Sequence, residues 1–165
     1  MSIKTNLLKQ ADIFFDFSQT QLELVANLCQ ERTFDNGDII FYEHTNSDEL
    51  YIITQGKVDI FINPNLAGRN SGNNTNLLSI AMLQRGQSFG EIALVDQGLR
   101  SATAQAAQNK TKLLVIRSSE LRKLCDVYPQ LGYQLMFNLA ADLSMKIRNT
   151  DLRIREELLY SRKNK

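Results

Sequence analysis

The chain predicts a mainly β domain with flanking helices: an antiparallel jelly-roll β-barrel, preceded by N-terminal helices and followed by a long C-terminal helix. Three observations predict it. Apolar residues recur at helical spacing up to about Cys29 and again after Arg117. Between them, from about Thr33 to Arg117, short runs rich in Ile, Val, Phe and Tyr alternate with turn signals, as in a sandwich or barrel. From Pro129 to about Tyr160 no Pro or Gly intervenes except Gly132.

Leu7, Leu8 and Ala11 keep helical spacing, and Ser18 with Gln21 has the pattern of a capping box. Leu22, Val25, Ala26 and Cys29 then form one apolar stripe. The β region is punctuated by Asp35-Asn36-Gly37-Asp38, Thr45-Asn46-Ser47-Asp48, Gln55-Gly56, Asn63-Pro64-Asn65 and Arg85-Gly86. Val58, Ile60 and Ile62 show the two-residue period of a half-buried strand. Leu66 to Asn76, rich in Gly, Asn and Ser, reads as a polar hairpin loop. Ser118 or Ser119 is placed to cap a short helix through Leu121, Leu124 and Cys125. Pro129 suits the opening of a long helix, a rod of roughly 45 Å at 1.5 Å per residue.

That rod outreaches one small barrel, so its outer part must be solvated or paired. Met136, Ile147 and Leu158 recur at an eleven-residue interval, as do Leu139 with Thr150 and Leu143 with Ile154. Such a repeat keeps one stripe facing a partner, and a helix-mediated homodimer is expected. The expected division is 1–127, the barrel with its N-terminal helices, and 128–165, a lid or dimerisation helix with a basic tail.

The bulk numbers suit one soluble domain. The 165 residues are 43% hydrophobic and 22% charged, with a formal net charge of +1. Near-neutral charge points to neither a nucleic acid nor an acidic partner. From Lys146 onward seven Lys or Arg stand against three acids, mixed on one helix, which is the usual pattern of a solvated face. Cys29 and Cys125 sit in apolar helical patterns and read as reduced thiols. The single His44 has no metal-ligand spacing and no catalytic partner, so no metal, no cofactor and no enzymatic activity are expected. A signal-like segment and a membrane span are both missing from the pattern, so the expected location is cytoplasmic.

The chemistry lies in Gly86-Gln87-Ser88-Phe89-Gly90-Glu91-Ile92-Ala93-Leu94, followed after a polar loop by Arg100-Ser101-Ala102-Thr103-Ala104. Small residues after a glycine turn leave backbone N–H groups open to an anion. Arg100 offers a planar fork for a phosphate. Glu91 can accept a hydrogen bond from a sugar hydroxyl. One phosphate and one hydroxyl are what a ribose cyclic phosphate displays. Alone, the two charges could equally be a surface ion pair.

The run FGEIAL…RSATAQA resembles the phosphate-binding cassette of cyclic-nucleotide-binding domains, the family that includes catabolite activator protein, kinase regulatory subunits and cyclic-nucleotide-gated channels. The resemblance covers about residues 12 to 145. Phe14 to Cys29 resembles the family's helical entry, Arg32 to Phe41 its R-x-F-x-x-G-x-x-I-F strand pair, and Leu50 to Val58 its L-Y-I-I-x-x-G-x-V segment. The resemblance implies that Glu91, helped by the Gly90 backbone, holds the ribose 2′-hydroxyl. It implies that Arg100 pairs with the phosphate, with Ser101 and the Ala93 amide adding hydrogen bonds. Ile92 and Ala102 belong to the same cassette. Ile60, Ile80 and Ala81 would line the apolar side of the purine pocket, and the helix after Pro129 would supply a lid with Tyr133 or Met136 facing inward. Two departures stand out: Leu99 where many members have Pro, and Glu43 to Asp48 in place of a glycine–acid turn, with His44 an exposed turn residue.

Ser101 matches the small residue of many cAMP sites, whereas threonine there often accompanies cGMP, so cAMP is favoured. Glu91 with Arg100 fits a monomeric cyclic phosphate better than a cyclic dinucleotide. After the long helix only a basic tail remains, shorter than the DNA-binding domain of the family's transcription factors. A stand-alone sensor acting through an unidentified protein effector is expected. The competing expectation is a degenerate interaction module that binds no nucleotide.

Overall fold

A computed structural model describes residues 2–63, 77–96 and 98–163, with side chains as far as residue 160. The polar run Leu66 to Asn76 lies outside these. The N-terminal section folds as α1 (Ile3–Leu8), a 3-10 turn (Asp12–Phe14) and α2 (Gln19–Ala26). Ser18 and Gln21 close the expected capping box: the Ser18 N–H donates to Gln21 Oε1 at 2.8 Å, and the Gln21 N–H to Ser18 Oγ at 3.3 Å.

Among the described residues eight strands follow: β1 (Gln30–Phe34), β2 (Ile39–Phe41), β3 (Glu49–Gln55), β4 (Lys57–Ile62), β5 (Leu78–Gln84), β6 (Ser88–Phe89), β7 (Thr103–Ala106) and β8 (Thr111–Arg117). They form two antiparallel sheets, β1-β8-β3-β6 and β2-β7-β4-β5. The mainly β fold with flanking helices therefore stands. Among the described residues, however, no ladder joins the two sheets into a closed barrel.

β3 and β8 are apolar on both faces because each is buried on both. Tyr51, Ile53, Leu113 and Val115 point between the sheets, meeting Val58, Leu83 and Ala104. The alternate residues Leu50, Ile52, Leu114 and Ile116 pack on the helices through Leu8, Phe14, Leu22 and Leu121. Gly56 turns β3 into β4 at φ +84°, and a Cβ there would lie 2.4 Å from Thr111 Oγ1, so only glycine fits without strain.

β6 leads through Gly90 and Glu91 into a single turn, α3 (Ile92–Val95). After β8 come α4 (Ser118–Val127) and α5 (Pro129–Lys163). The serine cap expected for α4 is not made. The helix starts one residue earlier than that cap requires: Arg117 occupies the capping position without a side-chain bond, and Ser118 is the first helical residue, its N–H donating to the Asp48 carbonyl at 2.9 Å. In α5, 35 residues give about 52 Å of helix. Leu131, Leu135 and Leu139 are buried against the N-terminal helical core, and Asn138 Nδ2 donates to the carbonyls of Ile13 (3.1 Å) and Phe15 (2.8 Å). From Ile147 to Tyr160 every residue is exposed. Cys29 and Cys125 are free thiols, as expected.

Candidate functional site

The site is built from the β6–α3 turn, the loop into β7, the edge of β3 and the inner face of α5. Gly90 takes φ +75°, a left-handed backbone, and a Cβ there would come within 2.6 Å of Arg100 Nη1 and 2.9 Å of the Glu49 carbonyl. Its carbonyl accepts the Ala93 N–H at 3.1 Å and lies 3.4 Å from Arg100 Nη1. The Ala93 carbonyl accepts Arg122 Nη2 at 2.8 Å, which ties the turn to α4.

Arg100 is only 4% exposed. Its Nη2 donates to the Glu49 carbonyl at 2.9 Å, and its guanidinium carbon stands 4.1 Å over the Phe41 ring and 5.5 Å from that of Tyr51. Tyr51 and Phe89 stack at 4.9 Å, with Phe41 5.6 Å and 5.9 Å from them. Among the described residues no carboxylate lies within ion-pair distance of this arginine, and its Nε is buried without a partner. Burial pulls its pKa below the ordinary arginine value, against the fields of Tyr51, Asp48, Glu49 and Glu91. A buried cation paired only with carbonyl dipoles and ring faces is suited to receive an anion.

The turn that departs from the family pattern braces this arginine. His44 is exposed, as expected, and adopts φ 63°. Its N–H donates to the Arg100 carbonyl, and the Arg100 N–H donates to the Thr45 carbonyl, both at 2.8 Å. Leu99 bridges to Asn46 beside them.

Glu91 is 7% exposed, but it does not pair with Arg100. Lys146 of α5 reaches it instead, with Nζ 2.5 Å from Oε1. Ile92 is half-buried, Ala93 and Ala102 are buried, and Ser101 is exposed. On the second sheet Ile60 pairs with Ala81 and Ala104, and both Ile60 and Ala81 pack against the core between the sheets. Ile80 falls at a register shift opposite Ile60 and Phe61, a β-bulge beside the site. Its carbonyl accepts a hydrogen bond from Arg153 of α5. Tyr133 is 71% exposed and Met136 faces solvent as well, so neither is an inward lid residue; the inward positions are Leu131, Leu135 and Leu139.

Sequence reading missed Phe41, Tyr51 and Lys146. Lys146 had one signal: it continues the inward stripe of Leu135, Leu139 and Asp142.

This arrangement meets a known family at residues 31–128, which match the model of the cyclic nucleotide-binding domain. The chain belongs to that family. The cyclic AMP receptor protein of Thermus thermophilus is 30% identical over 89% of this chain and 62% of its own length. The human cGMP-dependent protein kinase 2 is 25% identical over 76% of this chain and 16% of its own. The chain thus spans less than two thirds of either relative. A solved cyclic nucleotide-binding domain from Methylobacillus flagellatus shares the fold, with a TM-score of 0.77 over 93% of this chain and 82% of that one, at 22% identity. The family model is that of a binding domain, not a catalytic one. Among the described residues no helix is long and apolar enough to cross a membrane.

Proposed function

We propose that this cyclic nucleotide-binding domain binds cAMP in preference to cGMP and reports the ligand through α5. The observation that carries this reading is Arg100: a buried guanidinium with no acidic partner and an unbonded Nε, beside a left-handed glycine turn. A cyclic phosphate supplies the missing negative charge. Ser101 and the Ala93 amide add hydrogen bonds to the phosphate, Glu91 with Gly90 takes the ribose 2′-hydroxyl, and Ile60, Ile80 and Ala81 line the base. Ile92 and Ala102 shape the cassette. Residues 1–127 form the binding unit, and 128–165 the output helix and tail.

The exposed apolar residues Ile147, Leu152, Ile154 and Leu158 on the outer half of α5 fit a second copy of the chain, in keeping with the eleven-residue repeat. The homodimer or a protein effector then receives the signal as α5 shifts against the sheets. Sedimentation at micromolar concentration checks the dimer, and a monomer there rules it out.

The test of ligand binding is calorimetry of nucleotide-stripped protein with cAMP, cGMP and a cyclic dinucleotide. Binding tighter than about 100 μM to a mononucleotide is expected. Arg100→Ala then costs about 2 kcal/mol or more, the loss of a charge-assisted phosphate contact. A second reading draws on Lys146: a module whose Glu91 is permanently occupied by a lysine binds no nucleotide and serves only as an interaction surface. Silence in all three titrations selects it.

A further inference from the structure

Among the residues of α5 described as far as Tyr160, Lys146 is the last that is not exposed. Its ammonium joins two points on either side of Gly90, donating to the Ser88 carbonyl at 2.9 Å and to Glu91 Oε1 at 2.5 Å. Asp142, one turn earlier on the same helix, lies 2.7 Å from the same nitrogen. Burial works against the charged ammonium, but the carboxylates of Glu91 and Asp142 outweigh it and hold the proton more firmly than on an ordinary lysine. The contact therefore joins full charges in a partly desolvated setting, where an ion pair is stronger than on an open surface.

Beyond Lys146 the hydrogen bond from Arg153 to the Ile80 carbonyl anchors the helix to the sheets. Both anchors end on elements assigned to the ligand: the turn holding Glu91 and the bulge holding Ile80. A ribose hydroxyl arriving at Glu91 must share or take the carboxylate that Lys146 occupies. Lys146 has an alternative partner on its own helix, Asp142 at the favourable i, i+4 spacing, so leaving Glu91 does not strand its charge.

We infer that Lys146 is a latch: it clamps α5 to the turn through Glu91 and Ser88, and ligand entry at Glu91 releases it. The inference rests on the nucleotide reading of Glu91 given above. It supplies what that reading lacks, a contact that differs between the free and bound states and can therefore shift α5. Ligand affinity is lowered by the latch, since part of the interaction is spent in breaking it.

The full chain with Lys146→Met keeps the alkyl stem and removes the charge. Calorimetry with cAMP should show it binding about twofold to fivefold more tightly than wild type, the range of a modest ion pair. Amide exchange in residues 147–160 should be fast in the free variant and change little with cAMP, whereas wild type should gain exchange there on binding. Lys146→Gln, which retains a donor for the Ser88 carbonyl, should lie between them and serves if the methionine variant folds poorly. If wild type binds cAMP and the variants bind it equally or more weakly, the latch is wrong: the lysine is then inert or contacts the ligand, and the nucleotide reading stands. If neither wild type nor variants bind any cyclic nucleotide, the nucleotide reading fails and the latch with it.

Discussion

Arg100 and Glu91 are close in sequence, yet they are held in opposite ways. Arg100 is fixed by parts of the β structure alone: the Glu49 and Gly90 carbonyls, the Phe41 and Tyr51 rings, and a backbone clasp from His44 and Thr45. Glu91 is held by a side chain on a helix whose outer half touches little else. One half of the site is preset, and preset groups lose little freedom when a ligand arrives. The other half is conditional on where α5 lies. On the function proposed above, affinity resides mainly at Arg100 and signalling mainly at Glu91, because only a group with two partners in competition can report a change.

Undocking α5 is the strongest way to break this contrast. Leu135 is fully buried in the core between α5 and the N-terminal helices. Leu135→Ala should cost about 2–5 kcal/mol in urea unfolding, the usual range for a cavity of that size. Native-state exchange should show the loss concentrated in α5, with β3 and β8 still protected. Uniform loss across both regions would mean the helix and sheets are one cooperative unit and the contrast is false.

Gly90→Ala attacks the preset half. The left-handed backbone alone costs a non-glycine residue about 1–2 kcal/mol, and the new methyl would collide with Arg100 Nη1 and the Glu49 carbonyl. We expect an unfolding free energy lowered by at least that amount and a marked loss of cAMP affinity. A stability within about 0.5 kcal/mol of wild type would show that the turn can relax without disturbing Arg100.

What could be read in advance follows from how local each signal is. The capping box at Ser18, the turn at Gly56 and the start of α5 at Pro129 depend on residues a few positions apart, and all three formed. Glu91 and Arg100 could be singled out because the cassette is one short segment. The partners of those two were not. Phe41 and the Glu49 carbonyl reach Arg100 across strands, and Lys146 meets Glu91 from 55 residues away. Tyr133 and Met136 were expected inward because the family resemblance implied a lid there; the leucine stripe took that face and left both outside. The α4 cap failed because a long-range contact shifted the helix start: Ser118, its N–H bonded to the Asp48 carbonyl before β3, is already the first helical residue, and Arg117 stands at the cap.

The smallest effect we expect lies within the preset half and depends on pH. Glu49 gives Arg100 its carbonyl, while its carboxylate takes a two-pronged bond from Arg32 at 3.0 and 2.6 Å and the Tyr51 hydroxyl at 2.7 Å. Burial alone would raise the Glu49 pKa, but the hydrogen bonds from Arg32 and Tyr51 and the fields of Arg32 and Arg100 bring it below the ordinary 4.5. A carboxyl whose folded pKa is lowered lends stability above its unfolded pKa and loses that contribution as pH falls through the folded one. Glu49→Gln should therefore be less stable than wild type near neutrality, with the gap narrowing below about pH 4.5. Arg32 is substantially exposed, so the gap itself should be small, on the order of 1 kcal/mol. Urea unfolding of both proteins between pH 7 and 3 measures it. A gap that stays constant over this range would mean that Glu49 matters through its shape and not its charge, and that the seat of Arg100 is set by backbone carbonyls and rings alone.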